Sequence, residues 1–294
     1  MLSVRYGFGI LVLALTSHAV NADEADIIKM LKERGGEVVE TKGMATSVTL
    51  TDGSKLTDAE FRQIGQLKQL KNLTLSKCLN DQTLAYLTGL AELETLQTNL
   101  MEVSDDGIKQ FAQLKKLRNL KFFHPGKTFT GSGLAALTEM PNLEALTVAG
   151  SFTFGDDGMS AVAKLTRLKS LRIWHVGQTD EGIKKLRSLQ NLKSLTLGQR
   201  LTYKPPASPA NETLAVLAEL KSLETLQLEE ARLTLSGLEN LKRLPELKTL
   251  TLNGIDMPEA DVERLQKALP KVAVKWTKPN ETHTKRIRAL FGNE

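Results

Sequence analysis

Apolar residues recur along this chain in blocks of about two dozen residues, and each block carries two periods in succession. Aligned on its first apolar residue, the block starts at Leu67, Leu90, Leu114, Met140, Leu165, Leu189, Leu220 and Leu244, at steps of 23, 24, 26, 25, 24, 31 and 24 residues. Each start is followed by strict alternation: Leu73-Thr-Leu75, Leu96-Gln-Thr98, Leu120-Lys-Phe122, Leu146-Thr-Val148, Leu171-Arg-Ile173, Leu195-Thr-Leu197, Leu226-Gln-Leu228 and Leu250-Thr-Leu252. Period two over so few residues predicts a short, half-buried strand. The second part of the block repeats every three to four residues, as in Leu84/Leu87/Leu90, Ile108/Phe111/Leu114, Leu134/Leu137/Met140, Met159/Val162/Leu165 and Ile183/Leu186/Leu189. That spacing predicts one apolar stripe on a helix of two to three turns. A unit of this kind buries its apolar face only against its neighbours, so the chain predicts a solenoid.

Between strand and helix sits another recurring signal: Leu56-Thr-Asp58, Val103-Ser-Asp-Asp106, Phe154-Gly-Asp-Asp157 and Gln178-Thr-Asp-Glu181. Hydroxyl and carboxylate side chains there accept free N–H groups at a helix start, and acidic groups in the first turn suit the helix dipole. Repetition at one structural position favours capping over a calcium site, so no metal is inferred from Asp105, Asp106, Asp156 or Asp157.

Taken together, these blocks resemble the leucine-rich repeat family. Leu73-Thr-Leu75-Ser-Lys-Cys78 and Thr179-Asp-Glu-Gly-Ile183 are similar to the subclass with a cysteine after the strand, although Pro125, Ser151, Val176, Ala231 and Ile255 stand at that position elsewhere. The resemblance covers residues 46–276. It implies an α/β solenoid, a right-handed arc with about nine to ten parallel strands on its concave face and short helices on its convex face. The expected organisation is a signal peptide at 1–22, a capping helix and turn at 23–45, the repeat domain at 46–276 and a basic tail at 277–294. The tail reads either as a small amphipathic helix against an acidic surface or as a frayed terminus.

The N-terminus predicts export. Arg5 precedes an apolar run from Gly7 to Leu15, and Val20-Asn-Ala22 precedes Asp23, which is the pattern of a secretory leader cleaved after Ala22. The run is too short to span a bilayer, so no stable membrane insertion is expected. Cys78 is the only cysteine and rules out an intrachain disulfide; with no cysteine near the cleavage site, a lipid anchor there is not expected either. The expected location is therefore periplasmic or secreted. Outside the leader, 38 Lys and Arg stand against 34 Asp and Glu, a mild excess with no basic tract of the nucleic-acid-binding kind. No nucleic-acid partner is expected.

Catalytic signals are missing from the sequence. Outside the leader the histidines are His124, His175 and His283, and no nucleophile triad, metal-ligand spacing or phosphate loop accompanies them. The chain reads as a non-enzyme without a cofactor. The residues between the strand leucines point onto the concave face, and most are small and polar. Two columns depart from this: Lys121, Phe123 and His124 on one, Arg172, Trp174 and His175 on another, separated by Thr147 and Ala149. Exposed aromatics beside cations predict a binding hot spot, with Thr147 and Ala149 as a shallow floor. Further along, Glu229 and Glu230 predict a negative C-terminal end opposite a positive middle. The longer sixth unit adds a proline-rich loop, Tyr203 to Ala210, next to these columns. A protein or peptide partner is expected on this face, with glycan stacking on Phe123 and Trp174 as the alternative.

Overall fold

The computed structural model describes residues 18–200 and 208–292. The apolar run of the leader and most of the proline-rich loop lie outside them. Eleven strands form one sheet in sequence order: β1 (Glu37–Thr41), β2 (Met44–Leu50), β3 (Asn72–Ser76), β4 (Thr95–Asn99), β5 (Asn119–Phe123), β6 (Ala145–Ser151), β7 (Ser170–Val176), β8 (Ser194–Gly198), β9 (Thr225–Glu229), β10 (Thr249–Asn253) and β11 (Ala273–Thr277). β1 pairs antiparallel with β2, and every later neighbour pair is parallel.

Register follows directly from the repeat. Leu73, Leu96, Leu120, Leu146, Leu171, Leu195, Leu226 and Leu250 align strand to strand and are buried, as are the residues two positions on. Each such leucine contributes roughly 1.5–3 kcal/mol by leaving water. A one-residue slip would turn both rows outwards, so the spine pins the sheet. Thr98 occupies one apolar position and is tolerated because its hydroxyl meets Met101 Sδ at 3.3 Å. Phe111, Phe122, Phe129 and Phe154 add a ring ladder with centroids 5.2–5.9 Å apart.

The convex side carries α1 (His18–Glu33), α2 (Asp58–Ile64), α3 (Asp81–Leu87), α4 (Asp105–Ile108), α5 (Asp156–Val162), α6 (Asp180–Lys184), α7 (Asn211–Leu217), α8 (Leu235–Leu238) and α9 (Glu259–Ala268). The repeat helices α2 to α8 are shorter than the two to three turns the periodicity predicts. α4, α6 and α8 run on as 3-10 turns, and Ser132–Leu137 is 3-10 throughout. The tighter helix rises further per residue and crosses the convex side with fewer residues.

The recurrent carboxylates do more than cap their own helices. Ser104 and Thr179 are the N-caps. Asp81 instead accepts from the backbone N–H and hydroxyl of Ser104, and Asp156 does the same for Thr179 one repeat later. Asp105 accepts the backbone N–H groups of Thr130, Gly131 and Gly133. Gly107, Gly133 and Gly182 follow from this: a Cβ on any of them would lie within 2.5 Å of the preceding repeat's aspartate. At these three steps one repeat therefore closes the helix start of the next.

A second ladder runs along the residues just before the strands. Lys71 meets Glu94 (3.6 Å), Arg118 and Lys169 share Glu144 (3.5 and 2.7 Å), and Lys193 and Lys248 share Glu224 (3.0 and 2.6 Å). Hydrogen bonds from Lys248 and Lys193 hold the Glu224 carboxyl down to about 2. At the N-terminal end α1 buries Ile27, Ile28 and Leu31, and Glu24 accepts the Ala45 N–H at 2.8 Å. At the other end the Trp276 indole donates to Ile255 O at 2.9 Å. No described helix is long and apolar enough to cross a membrane.

Candidate functional site

The strand register brings the predicted concave residues into two rows. Lys121, Thr147 and Arg172 form one, and Phe123, Ala149 and Trp174 the other. With strands about 4.8 Å apart, the outer members of each row stand roughly 10 Å apart. Phe123 and Trp174 point away from the spine and stay half-buried, while Arg172 is exposed. The Arg172 guanidinium lies 5.4 Å from the centre of the Trp174 ring, and His175 stacks on that ring at 4.1 Å. Trp174 also leans over Gly198, where a Cβ would come within 1.9 Å of the indole. Its indole N–H has no hydrogen-bond partner among the described residues.

Ala149 departs from the expectation. It is 1% exposed rather than an open floor, because a methyl group between two bulky columns is closed over from the side. The patch is a ridge of aromatics with cations beside it, not a shallow trough.

His124 and His175 sit at a turn that the alternation does not show. Lys77, Leu100, His124, Gly150, His175, Glu230 and Gly254 all have positive φ, each two positions beyond the second buried residue of its strand; the β8 repeat has no counterpart. The N–H groups of Lys77, Leu100, His124 and Glu230 donate to the next repeat's carbonyls at 2.8–3.0 Å. This left-handed residue lifts its side chain onto the rim of the concave face. His124 is exposed, has Nδ1 3.0 Å from Asn99 Oδ1, and lies across Gly150, where a Cβ would come within 2.5 Å of its ring.

The negative C-terminal end is the larger correction. The tail forms α10 (Glu281–Phe291), the amphipathic alternative of the sequence reading, with Ile287 and Leu290 buried against the rim. Arg286 of α10 clamps the Glu230 carboxylate and also reaches His175 Nε2 at 2.8 Å. His283 Nε2 stands 3.5 Å from the same carboxylate. Glu230 is almost fully buried, and Glu229 accepts from Gln227 Nε2 at 2.6 Å. Burial first, then the neighbouring Arg286 charge, pushes the His175 imidazole down to about 4. The neutral ring accepts from Arg286, so the guanidinium is the group that neutralises Glu230. Instead of a bare acidic end, the face has a roofed and neutralised one.

Two further apolar groups flank the patch on the rim. Leu100 is 47% exposed and Phe152 77% exposed. Leu100 stands in a column that is otherwise polar or glycine, a signal legible in the aligned repeats; Phe152 has no periodic signature. The proline-rich loop is described only at its closing end, where buried Gln199 accepts the Arg200 and Ser208 N–H groups and donates to Glu230 O. Among the described residues no group of three or more His, Cys, Asp or Glu is placed to hold a metal. Burial pushes the Cys78 thiol up to about 12, which leaves it a poor nucleophile.

No protein-family model matches the chain, and no curated protein matches its sequence. Similar solved structures do exist. Internalin C2 of Listeria monocytogenes is 18% identical with a TM-score of 0.45, over 88% of this chain and 96% of that one. Internalin F of the same organism is 20% identical with a TM-score of 0.47, over 92% and 100%. TLR13 in its complex with ssRNA13 is 17% identical with a TM-score of 0.48, over 77% of this chain and 35% of that one. The sheet and register described above make the chain an α/β leucine-rich-repeat solenoid.

Proposed function

We propose that this protein is a non-catalytic binding module that recognises a protein or peptide through its concave face, in the bacterial envelope or outside the cell. The observation that carries this reading is the patch itself. Phe123 and Trp174 stand outwards on a parallel sheet whose register is fixed by the spine, with Lys121 and Arg172 beside them. Aromatic and arginine anchors on a rigid surface are the residues that dominate interface energies. Leu100 and Phe152 extend the apolar area over the rim. A leader at 1–22 would place the module where such a partner is met.

Glycan stacking is the weaker reading. A sugar platform needs an open aromatic face, and the Trp174 ring is already stacked by His175 and approached by Arg172. The test is capture of partners from envelope extract by the protein and by Phe123→Ala, identified by mass spectrometry. A protein retained by the parent and lost by the variant supports the reading. Retention unchanged in the variant, or recovery of glycan alone, overturns it.

A further inference from the structure

Charge on this molecule is treated in two ways. Before the strands, Lys71, Arg118, Lys169, Lys193 and Lys248 each reach a glutamate of an adjoining repeat. On the concave face, Lys121 and Arg172 have no carboxylate partner among the described residues, although paired Arg118 and Lys169 stand immediately before the strands that carry them. The remaining outward charge of β2 to β10 is Glu229, which is buried and hydrogen-bonded to Gln227. Glu230 beyond it is clamped by Arg286. The acidic groups of the face are thus used up inside the fold, and the open part is left positive.

We infer that the partner, on the reading above, presents an acidic, extended peptide segment to this face. Lys121 and Arg172 align through Thr147, two strands and roughly 10 Å apart. In a polyproline-II segment residues i and i+3 share one side about 9.3 Å apart. Carboxylates at that spacing reach both cations at once, while an apolar side chain between them settles on the Phe123 and Trp174 row. The Trp174 ring under the Arg172 guanidinium holds that cation in place for a carboxylate.

The test measures binding of labelled peptides in which Glu occupies i and i+3 among Pro and Leu, against the same peptides with Gln or Lys. An oligogalacturonate and a single-stranded RNA serve as other polyanions. The Glu peptide is expected to bind, to weaken as salt rises, and to lose about threefold to fivefold for each of Lys121→Gln and Arg172→Gln. Equal binding of the Gln peptide overturns the acidic assignment and leaves the proposed function intact. Stronger binding of oligogalacturonate or RNA, with the same dependence on Lys121 and Arg172, overturns the peptide assignment. Failure of the Glu peptide to bind also overturns the inference, while loss of captured protein in Phe123→Ala would still uphold the concave face as the site.

Discussion

Columns β5 to β7 and columns β8 to β10 are built from the same repeat, yet they end in opposite conditions. The first group presents Lys121, Phe123, Arg172 and Trp174 outwards, with neither cation paired to a carboxylate among the described residues. The second presents Gly198, Glu229 and Glu230 beneath Trp174, His175 and α10. A charge at a given repeat position therefore has no fixed meaning. Glu230 and His124 share the left-handed turn, but one is a buried anchor for a helix and the other an exposed ring on the rim.

The comparison predicts different costs for removing a charge from each group. Glu230→Ala leaves the Arg286 guanidinium without its clamped carboxylate, and breaking a buried pair on one side costs about 3 kcal/mol. Release of α10 into solvent limits that figure. Urea unfolding of the parent and variant measures the loss, and an unchanged midpoint would show that α10 is not held by this contact.

Ile287→Asp tests the roof more gently. Ile287 is buried, and removing its apolar contact costs about 2 kcal/mol. An eleven-residue helix is marginal alone in water, so α10 should open and become cleavable by trypsin at Lys285, Arg286 and Arg288. Uncovering Glu229 and Glu230 should then weaken acidic peptides at the neighbouring patch. Resistance to trypsin equal to the parent would place α10 among the firmly packed elements.

The spine, the strand positions and the outward direction of Phe123 and Trp174 were all legible in the sequence, because period two alone decides which side chains face the core. Long-range partners were not. Nothing in Asp105 says that it closes Thr130 and Gly133 rather than its own helix. The tail has three large apolar residues in eleven, too few to choose between a docked and a frayed helix without Glu230 and Arg232 opposite. The acidic end looked exposed for the same reason: its cover comes from 56 residues away. Ala149 looked open because a sequence does not show how its neighbours lean.

Acid should act first where the two groups of columns meet, at His175 of β7 beneath α10. His175 faces Trp174 on its own strand, Glu229 and Glu230 at the end of β9, and Arg286 from α10, with His283 of α10 against the same Glu230 carboxylate. Its folded value lies near 4, below the ordinary 6.5. The unfolded chain therefore takes up a proton first as pH falls. The stability that neutral His175 contributes is complete above 6.5 and is lost as pH falls through about 4. Thermal melts at pH 7 and pH 4.5 should show a smaller drop for His175→Gln than for the parent, and equal drops would reject the assignment.

The smallest effect on stability belongs to Arg172→Gln. Its side chain is exposed and touches the Trp174 ring without a carboxylate partner among the described residues, so the substitution should stay within about 0.5 kcal/mol of the parent. Trp174→Phe should behave similarly, since its indole N–H makes no hydrogen bond to another described residue and a ring still covers Gly198. Binding should separate the two variants: Arg172→Gln weakens an acidic peptide, whereas Trp174→Phe keeps the ring and most of the affinity. A surface group whose loss leaves the melt unchanged but shifts the binding curve is one the fold does not need, and Arg172 meets that description where Glu230 does not. If Arg172→Gln lowers the melt as far as Glu230→Ala, both groups of columns are structural and the contrast between them disappears.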